Sequence, residues 1–242
     1  MSSPRALIAD TVPFSNVDGP GNRFVVFFQG CNFDCIACHN PSTIAVCTHS
    51  ATRERSVDDL LVEIRRAAPF LSGITVSGGE ATLQAPFVAA LFAAIKGDPV
   101  LHRLTCFVDS NGSADAETWD RLLPVMDGAM IDLKCLDDDV HRALTGQSNR
   151  AVLESIRHLH SAGRLYEVRL LIVPGYNDDP ELLARTARWL SEVDPHLRVV
   201  VIGFRSHGVR PHEPALHEQS AAQLAERAAI VARSGALDVV VV

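Results

Sequence analysis

The chain has 242 residues, of which 47% are hydrophobic and 21% are charged, and its formal net charge is −7. This length and composition suit one globular domain over residues 1–242 with a full hydrophobic core. The acidic balance argues against non-specific nucleic-acid binding, because that binding needs a basic patch to offset phosphates.

No stretch of the sequence is long and apolar enough to span a membrane, and the first ten residues lack the pattern of a signal peptide. We therefore expect a cytoplasmic protein without a membrane partner. In that compartment the six cysteines are expected to be reduced thiols or metal ligands rather than disulfides.

Short apolar runs bounded by polar or turn residues predict six strands and a short C-terminal one. These runs lie at residues 23–29, 73–77, 104–109, 129–133, 166–173, 198–203 and 238–242. Helical spacing of apolar residues predicts the segments between them as helices. The first predicted helix starts at an N-cap, Ser56, and the second carries a stripe of apolar residues over 87–95. The next three helices cover 114–123, 149–162 and 180–192. The last helix runs from a capping box at Ser220 and Gln223 to Gly235.

This alternation predicts parallel β/α units, and so an α/β fold. Six units fall short of the eight of a complete barrel. The pattern alone does not distinguish a partial barrel from an open doubly wound sheet.

Three cysteines follow the first predicted strand in the spacing C-x3-C-x2-C, namely Cys31, Cys35 and Cys38. Three thiolates suit a [4Fe–4S] cluster with one iron left open to chelate a methionine moiety. A structural zinc site with His39 as fourth ligand is the alternative, but adjacent residues rarely both reach one tetrahedral ion. Three ordinary loop thiols are less favoured still, since clustered cysteines indicate a metal or redox role.

Polar residues end three of the predicted strands, at 78–80 (GGE), 109–112 (DSNG) and 132–134 (DLK). In β/α barrels such strand ends converge on one face, where active sites form. Glycine lacks a Cβ, so the backbone at the first of these ends can approach a ligand closely. Taken singly, each end is as well explained by a turn or a helix cap. Together with the cysteines, the three ends favour a site.

These motifs resemble the radical S-adenosylmethionine (radical SAM) superfamily, and more narrowly the activating enzymes of glycyl radical enzymes, over nearly the whole chain. The segments VDGPGNRF (17–24), FFQGC (27–31) and CHNP (38–41) resemble the activase signature around the cluster. Also typical of the family are SGGEATLQ (77–84), DLK (132–134), LTG (144–146) with Asn149, and VPG (173–175). In detail the sequence is most similar to the YjjW-type activases, through residues 13–15, 73–76 and 104–112.

The resemblance implies an incomplete (β/α)6 barrel, open on one side so that a protein loop can enter. It implies a [4Fe–4S] cluster and S-adenosylmethionine as cofactors, and a monovalent cation beside the methionine carboxylate. The implied partners are a YjjI-like glycyl radical enzyme as protein substrate and a flavodoxin or ferredoxin as reductant. The implied reaction removes a hydrogen from a glycine Cα of that enzyme through a 5′-deoxyadenosyl radical.

The resemblance also implies a role for individual residues. Cys31, Cys35 and Cys38 would ligate the cluster, and Gly78, Gly79 and Glu80 would receive the methionine amino group. Asp109, Ser110, Met130 and Asp132 would hold the cation, Lys134 would pair with the carboxylate, and His39 would lie by the adenine. Asp18 and Arg169 would face the glycine-bearing loop of the partner.

The sequence departs from the family at three places. The residue before the third cluster cysteine is often aromatic, and here it is Ala37. Residues 41–55 contain only Cys47 in place of a cysteine-rich, ferredoxin-like insertion, so we predict no auxiliary clusters. A histidine of the late strand is replaced by Arg205, with His207 nearby, and which of the two lines the site stays open.

Two rival functions follow from the same residues. One is a radical SAM enzyme that acts on a small molecule, and the other is a non-enzymatic zinc-binding module. Outside the motifs, Cys106 and Cys135 are interpreted as structural, and His158 and His160 as surface residues, because two residues that are two apart on a helix do not share a face.

Overall fold

The computed structural model of the protein describes residues 4–46, 52–235 and 237–242. Their contacts divide the chain into two compact units. The first takes described residues from 1–32, 42–110 and 114–130, and the second takes them from 33–41, 111–113 and 131–242. Within the described ranges, none of the helices combines the length and apolar character that crossing a membrane requires. The single domain over 1–242 stays a prediction.

The first unit consists of strands and the helices that connect them. Its elements are β1 (Arg5–Ser15), β2 (Arg23–Phe28), β3 (Arg53–Ser56), α1 (Val57–Ala67), β4 (Gly73–Gly78), α2 (Ala85–Gly97), β5 (Thr105–Ser110) and α3 (Ala116–Leu122). The strands pair in the order β3-β1-β2-β4-β5. β2, β4 and β5 are parallel, as predicted, and β1 runs antiparallel to both β2 and β3. A further strand, β6 (Gly128–Asp132), begins in this unit and ends in the second.

The sequence analysis did not predict β1 and β3. β1 (RALIADTVPFS) has an apolar run of only four residues at 6–9, includes a proline, and changes register against β2 twice, between Ile8 and Asp10 and between Val12 and Ser15. Such irregularities interrupt the alternation that marks a strand in sequence. β3 is the polar tetrapeptide RERS, so it has no apolar signal at all.

Ser56 caps α1 as predicted. The backbone N–H of Asp59 donates to Ser56 Oγ at 3.2 Å, and the backbone N–H of Ser56 donates to Asp59 Oδ2 at 2.8 Å. This reciprocal pair satisfies donors that a helix start leaves without partners. The cap orients the helix so that Leu60, Leu61 and Ile64 are buried.

A fully buried arginine, Arg23, ties together the starts of the parallel strands. Its guanidinium donates to the hydroxyl of Thr105 at 2.6 Å, to the Thr105 carbonyl at 3.1 Å and to the Ile74 carbonyl. Its Nε donates to Thr75 Oγ1 at 3.1 Å, and the guanidinium lies 4.8 Å from the centroid of the Phe107 ring. A buried charge persists only where hydrogen bonds replace its water shell, and here those bonds hold β2, β4 and β5 together.

The second unit continues the alternation. Its elements are α4 (Asp138–Thr145), α5 (Arg150–Ser161), β7 (Leu165–Ile172), α6 (Pro180–Val193), β8 (Arg198–Gly203), α7 (Ala221–Gly235) and β9 (Asp238–Val241). β7, β8 and β9 are parallel neighbours. Ser220 and Gln223 exchange the hydrogen bonds of a capping box before α7, which confirms that prediction.

The helix α4 carries a buried histidine, His141. Its Nδ1 lies 2.8 Å from the Gln147 carbonyl, which can only accept, so Nδ1 carries the proton. Nε2 is buried without a hydrogen-bond partner among the described residues. The ring packs edge-on against Phe33, with centroids 5.6 Å apart. Burial lowers the pKa of His141 from its ordinary value of 6.5, so the neutral form is the one that fits.

We predict that Arg23→Met lowers the free energy of unfolding by about 3–5 kcal/mol, because it leaves several buried carbonyl and hydroxyl groups without a donor. Methionine keeps most of the volume, so the loss reports the hydrogen bonds. Arg66→Met is the matched control, since Arg66 is exposed on α1. Urea unfolding followed by circular dichroism measures both variants. Equal urea midpoints for Arg23→Met and Arg66→Met would contradict this account of Arg23.

We also predict that His141 makes the protein less stable in mild acid. Its folded pKa is lowered, so below pH 6.5 the unfolded chain binds the proton first. Stability is then fully present above that pH and falls, by at most about 1.4 kcal/mol per pH unit, until the folded pKa is reached. Urea unfolding at pH 7.5, 6.5, 5.5 and 5.0 should show a shallower fall for His141→Asn than for the wild type. His196→Asn, at an exposed site, should retain the wild-type slope.

Candidate functional site

The cysteine loop (residues 30–41) is anchored through its backbone. In the second unit, the N–H of Asp34 donates to the carbonyl of Thr145 and the N–H of Ile36 donates to that of Leu144, each at 3.0 Å. These carbonyls lie in the last turn of α4, where helix carbonyls have no intrahelical partner. The end of α4 therefore fixes the backbone on both sides of Cys35.

The start of the loop is held in the first unit. The N–H of Cys31 donates to the Ile44 carbonyl at 2.9 Å, and the N–H of Gly30 donates to the Thr43 carbonyl at 2.8 Å. The buried Gln29 side chain donates to the carbonyls of Ser42 and Ala45, at 2.9 and 2.7 Å. These hydrogen bonds turn the chain back on itself after β2, so that residues 29–31 are held in place.

Gly78 and Gly79 lie where two backbones approach closely. Gly78 has φ +112°, and a Cβ there would come within 2.2 Å of the Phe28 backbone nitrogen. A Cβ on Gly79 would lie 2.2 Å from the Gly30 carbonyl oxygen. Any other residue would push the end of β4 away from the start of the cysteine loop. Within the first unit, the close packing of these backbone segments therefore requires glycine at both positions.

Glu80 is a buried carboxylate at the end of β4, with 1% of its surface exposed. Its Oε1 accepts hydrogen bonds from the Thr82 hydroxyl at 2.6 Å, the Thr82 N–H at 3.0 Å and the Ser110 hydroxyl at 2.9 Å. The structure thus brings together two of the predicted site residues, from the ends of β4 and β5. The three donors fix the orientation of the carboxylate.

The other predicted residues of the first unit lie near the same strands. Asp109 Oδ2 accepts a hydrogen bond from Ser77 Oγ at 2.8 Å, again joining the ends of β5 and β4. Met130 is buried on β6, and its Sδ would lie 3.5 Å from a Cβ on Gly19. The side chain of Met130 therefore packs against the segment that contains Asp18.

Hydrogen bonds hold both the backbone carbonyl and the carboxylate of Asp18. Its carbonyl accepts a hydrogen bond from Thr75 Oγ1 at 2.6 Å, and Thr75 in turn accepts from Arg23. The carboxylate of Asp18 accepts from Ser15 Oγ at 2.5 Å. Arg23 thus positions this segment through Thr75.

In the second unit, Asp132 and Lys134 form an ion pair with 2.7 Å between Oδ2 and Nζ. The carbonyl of Lys134 accepts a hydrogen bond from the Asn177 side chain at 2.7 Å, which fixes its backbone. Arg169 lies on β7, where its Nε donates to Glu167 Oε1 at 2.7 Å, and Glu167 also pairs with Arg198. The Arg169 backbone carbonyl accepts from the N–H of Leu133.

The His39 side chain forms a hydrogen bond with the backbone of Arg205 and not with its side chain. His39 Nε2 lies 2.9 Å from the Arg205 carbonyl oxygen, so Nε2 carries the proton. The exposed Arg205 side chain instead pairs with Glu218, at 3.5 Å. Which of Arg205 and His207 lines the site stays open.

The cysteines outside the loop differ from those within it. Burial raises the pKa of Cys106 to about 12 and that of Cys135 to about 11, so both are neutral thiols at pH 7. Both side chains are buried, which agrees with the structural interpretation. Cys31, Cys35 and Cys38 are all partly exposed and form no disulfide. Cys47, on which the prediction of no auxiliary clusters depends, lies outside the described residues.

Sequence reasoning missed residues that support the site rather than form it. Arg23 and Thr75 position Asp18, Thr82 orients Glu80, and Arg210 contacts the loop beside Cys35. One signal was available, an arginine at the head of the apolar run RFVVFF. Thr75 and Thr82 stand in segments that resemble the family, 73–76 and 77–84, but the resemblance assigns them no role, and Arg210 lies outside those segments.

A [4Fe–4S] cluster fits the chemistry of the donor set. Among residues 4–46, 52–235 and 237–242, no three His, Cys, Asp or Glu side chains already form a closed metal site. The three loop cysteines nonetheless supply soft thiolate ligands of the kind that bind iron–sulfur clusters. Three thiolates leave one iron open, which is the arrangement that binding a chelating substrate requires.

Comparison with known proteins identifies the family of this chain. The model of the radical SAM superfamily matches residues 25–190. The pyruvate formate-lyase-activating enzyme of Streptococcus mutans is 37% identical over 207 residues, which cover 84% of this chain and 78% of that protein. That of Staphylococcus aureus (strain USA300) is 36% identical over 202 residues, which cover 80% of this chain and 78% of that protein.

Two solved structures share the fold. A domain of a pyruvate-formate lyase-activating enzyme from Bacteroides vulgatus has a TM-score of 0.57 and 23% identity, with 71% of this chain and 99% of that one covered. SuiB of Streptococcus suis, bound to S-adenosylmethionine, has a TM-score of 0.66 and 14% identity, with 90% and 51% covered. The predicted fold class, an incomplete (β/α)6 barrel of the radical SAM type, is confirmed. The chain therefore belongs to the radical SAM superfamily, among the enzymes related to the pyruvate formate-lyase-activating enzymes.

Proposed function

We propose that the protein cleaves S-adenosylmethionine reductively and activates a partner glycyl radical enzyme. When bound, a [4Fe–4S] cluster supplies the electron that breaks the sulfur–C5′ bond, and the resulting 5′-deoxyadenosyl radical takes a hydrogen from a glycine Cα of the partner. The observation that carries the proposal is the loop of three partly exposed cysteines, in a chain that belongs to this family.

The residues at the strand ends would bind the methionine part of the substrate. Glu80 is buried and held by Ser110 and Thr82, so its carboxylate is oriented before an ammonium group arrives. The charge-assisted hydrogen bond that would result is stronger than a neutral one. Gly78 and Gly79 would contribute backbone groups to the same amino group.

Lys134 would neutralise the methionine carboxylate. Its ammonium already pairs with Asp132, at 2.7 Å, and that pair holds the side chain in one place. A monovalent cation would share this region with Asp109, Ser110, Met130 and Asp132. His39 would lie beside the adenine.

The proposed protein substrate is a YjjI-like glycyl radical enzyme, with a flavodoxin or ferredoxin as electron donor, in the cytoplasm under anaerobic conditions. The names of the relatives, pyruvate formate-lyase-activating enzymes, support a glycyl radical enzyme as partner. Asp18 and Arg169 would contact the glycine-bearing loop. Arg205 or His207 would line the cofactor.

The experiment that tests the proposal is anaerobic reconstitution with iron and sulfide, followed by low-temperature electron paramagnetic resonance of the dithionite-reduced protein. A reduced [4Fe–4S] signal that changes shape on adding S-adenosylmethionine is the expected result. A folded protein that binds zinc and no iron would instead favour the zinc-binding module. Turnover of a metabolite, with no glycine radical on any partner, would favour the small-molecule enzyme.

Cys35→Ala is expected to abolish both the cluster signal and formation of 5′-deoxyadenosine, because two thiolates no longer leave a stable site with one open iron. The change leaves the Cys35 carbonyl and its hydrogen bonds in place, so the loop backbone keeps its anchors. Cys106→Ala is the matched control and should keep both activities, since the Cys106 thiol, with a pKa of about 12, is neutral and lies in β5. Iron content, resonance spectra and chromatography of the nucleoside provide the readouts. Full activity of a folded Cys35→Ala variant would refute the cluster assignment.

Asp18→Ala should preserve uncoupled cleavage of S-adenosylmethionine and lower the yield of glycyl radical on the partner about tenfold or more, because placement of the acceptor carbon limits the transfer. The substitution removes the hydrogen bond from Ser15 Oγ to the carboxylate but keeps the Asp18 carbonyl that Thr75 binds, so the backbone anchor of the segment remains. Asp58→Ala, at an exposed position of α1, controls for loss of a carboxylate. Radical yield is counted by resonance at room temperature against 5′-deoxyadenosine formed. Parallel loss of both quantities would remove Asp18 from the partner interface.

A further inference from the structure

Residues 204–210, which follow β8, pack against the second half of the cysteine loop. The ring of Phe204, which is fully buried, stacks on the ring of His39 with centroids 6.3 Å apart and planes 22° apart. The Arg205 carbonyl accepts the hydrogen bond from His39 Nε2 at 2.9 Å. The residue directly after Cys38 is thus held by two neighbouring residues of one segment.

Gly208 makes the closest approach of this segment to the loop. Its φ is +79°, and a Cβ there would lie 2.6 Å from the carbonyl oxygen of His39. A real Cβ does not come so near a carbonyl oxygen, so an added methyl group must displace the segment, the loop or both. Glycine at this position is what allows the two backbones to pack.

Arg210, the last residue of this segment, contacts the cysteine loop at Asp34 and Cys35. Its Nη2 lies 2.5 Å from Asp34 Oδ1 and 3.3 Å from the Cys35 carbonyl oxygen. An exposed ion pair alone contributes little to stability. Here the same nitrogen also donates to a backbone carbonyl, so the guanidinium restrains the chain at Cys35 itself.

Ala37, in the middle of residues 34–39, packs in the same buried cluster as Phe204 of the 204–210 segment. The alanine is buried in a cluster that also contains Phe204, Leu144 and Cys135. Its small side chain adds little to that cluster, and the buried aromatic ring comes from Phe204 instead. On another side, the Leu144 and Thr145 carbonyls bind the amides of Ile36 and Asp34. Residues 34–39 are therefore held by the end of α4 and by the 204–210 segment.

We propose that the 204–210 segment is a clamp that sets the conformation of residues 34–39, with Gly208 and Arg210 as positioning residues for Cys35 and Cys38. The consequence for cluster binding rests on the proposed function. The clamp itself is a property of the protein without cofactors.

The test measures the reactivity of each cysteine in the cofactor-free, reduced protein. Timed alkylation with N-ethylmaleimide, followed by mass spectrometry of the peptides, gives a rate for every thiol. Gly208→Ala is expected to speed alkylation of Cys35 and Cys38 about tenfold, because the loop loses contacts that limit its local opening. Cys106, buried in the other unit, should keep its wild-type rate.

Gly163→Ala is the matched control. Gly163 has φ +65°, so alanine suffers the same kind of backbone strain there, but nothing lies within 4 Å of the added Cβ. Wild-type rates at Cys35 and Cys38 are expected in this variant. If Gly208→Ala gives the same rates as Gly163→Ala, the clamp is refuted.

Arg210→Gln provides a second test should Gly208→Ala fail to fold. It removes the bond to Asp34 and should speed alkylation of Cys35 about threefold, with Arg210→Lys between it and the wild type. An unchanged rate at Cys35 in Arg210→Gln would then overturn the proposal.

Reconstituted protein supplies the readout for the cluster. Iron release to a chelator should be faster from Gly208→Ala than from Gly163→Ala. If the wild type takes up no cluster at all, the proposed function fails, and the alkylation rates still decide on the clamp. If the wild type binds a cluster and the two variants release iron equally, Gly208 has no positioning role toward it.

Discussion

The buried guanidinium of Arg23 is the constraint on which the first unit depends. A charge with none of its surface in water must be surrounded by acceptors, and carbonyls and hydroxyls of β4 and β5 supply them. Gly73 shows how tight this arrangement is, because a Cβ there would lie 2.2 Å from Arg23 Nη1. The strand starts are thereby fixed in register, and the strand ends inherit that register.

The same arginine links the scaffold to the segment before it. Arg23 donates to Thr75, and Thr75 donates to the carbonyl of Asp18. The position of residues 17–22 is thus set from inside the sheet, with Met130 packed against Gly19. At the opposite ends of the strands, Ser77, Glu80, Asp109 and Ser110 are joined by side-chain hydrogen bonds. A rigid sheet between the two ends is the kind of support that precise placement of a substrate requires.

The sequence predicted what depends on local pattern and missed what depends on contacts between distant residues. The six predicted strands are short apolar runs that the structure confirms as strands, and β8 (Arg198–Gly203) has the predicted bounds. β1 escaped prediction because its bulges and Pro13 break the alternation. In the site, the cysteines could be read from their spacing. The contacts of Gly208 and Arg210 with residues more than 150 positions earlier leave no mark on their own segment.

The glycines of the GGE motif illustrate the difference between a motif and its cause. The sequence suggested that Gly78 and Gly79 let a backbone approach a ligand, yet a Cβ on either would first meet protein backbone at 2.2 Å. The motif is thus already explained by the packing of β4 against β2 and the start of the cysteine loop. Glu80 is different, because its carboxylate caps the short helix at Ala81–Gln84 through the Thr82 N–H and is also buried, whereas a smaller polar residue would cap at a lower cost of desolvation. Within the GGE motif, the case for chemistry therefore rests on Glu80, which is buried and oriented, more than on the glycines beside it.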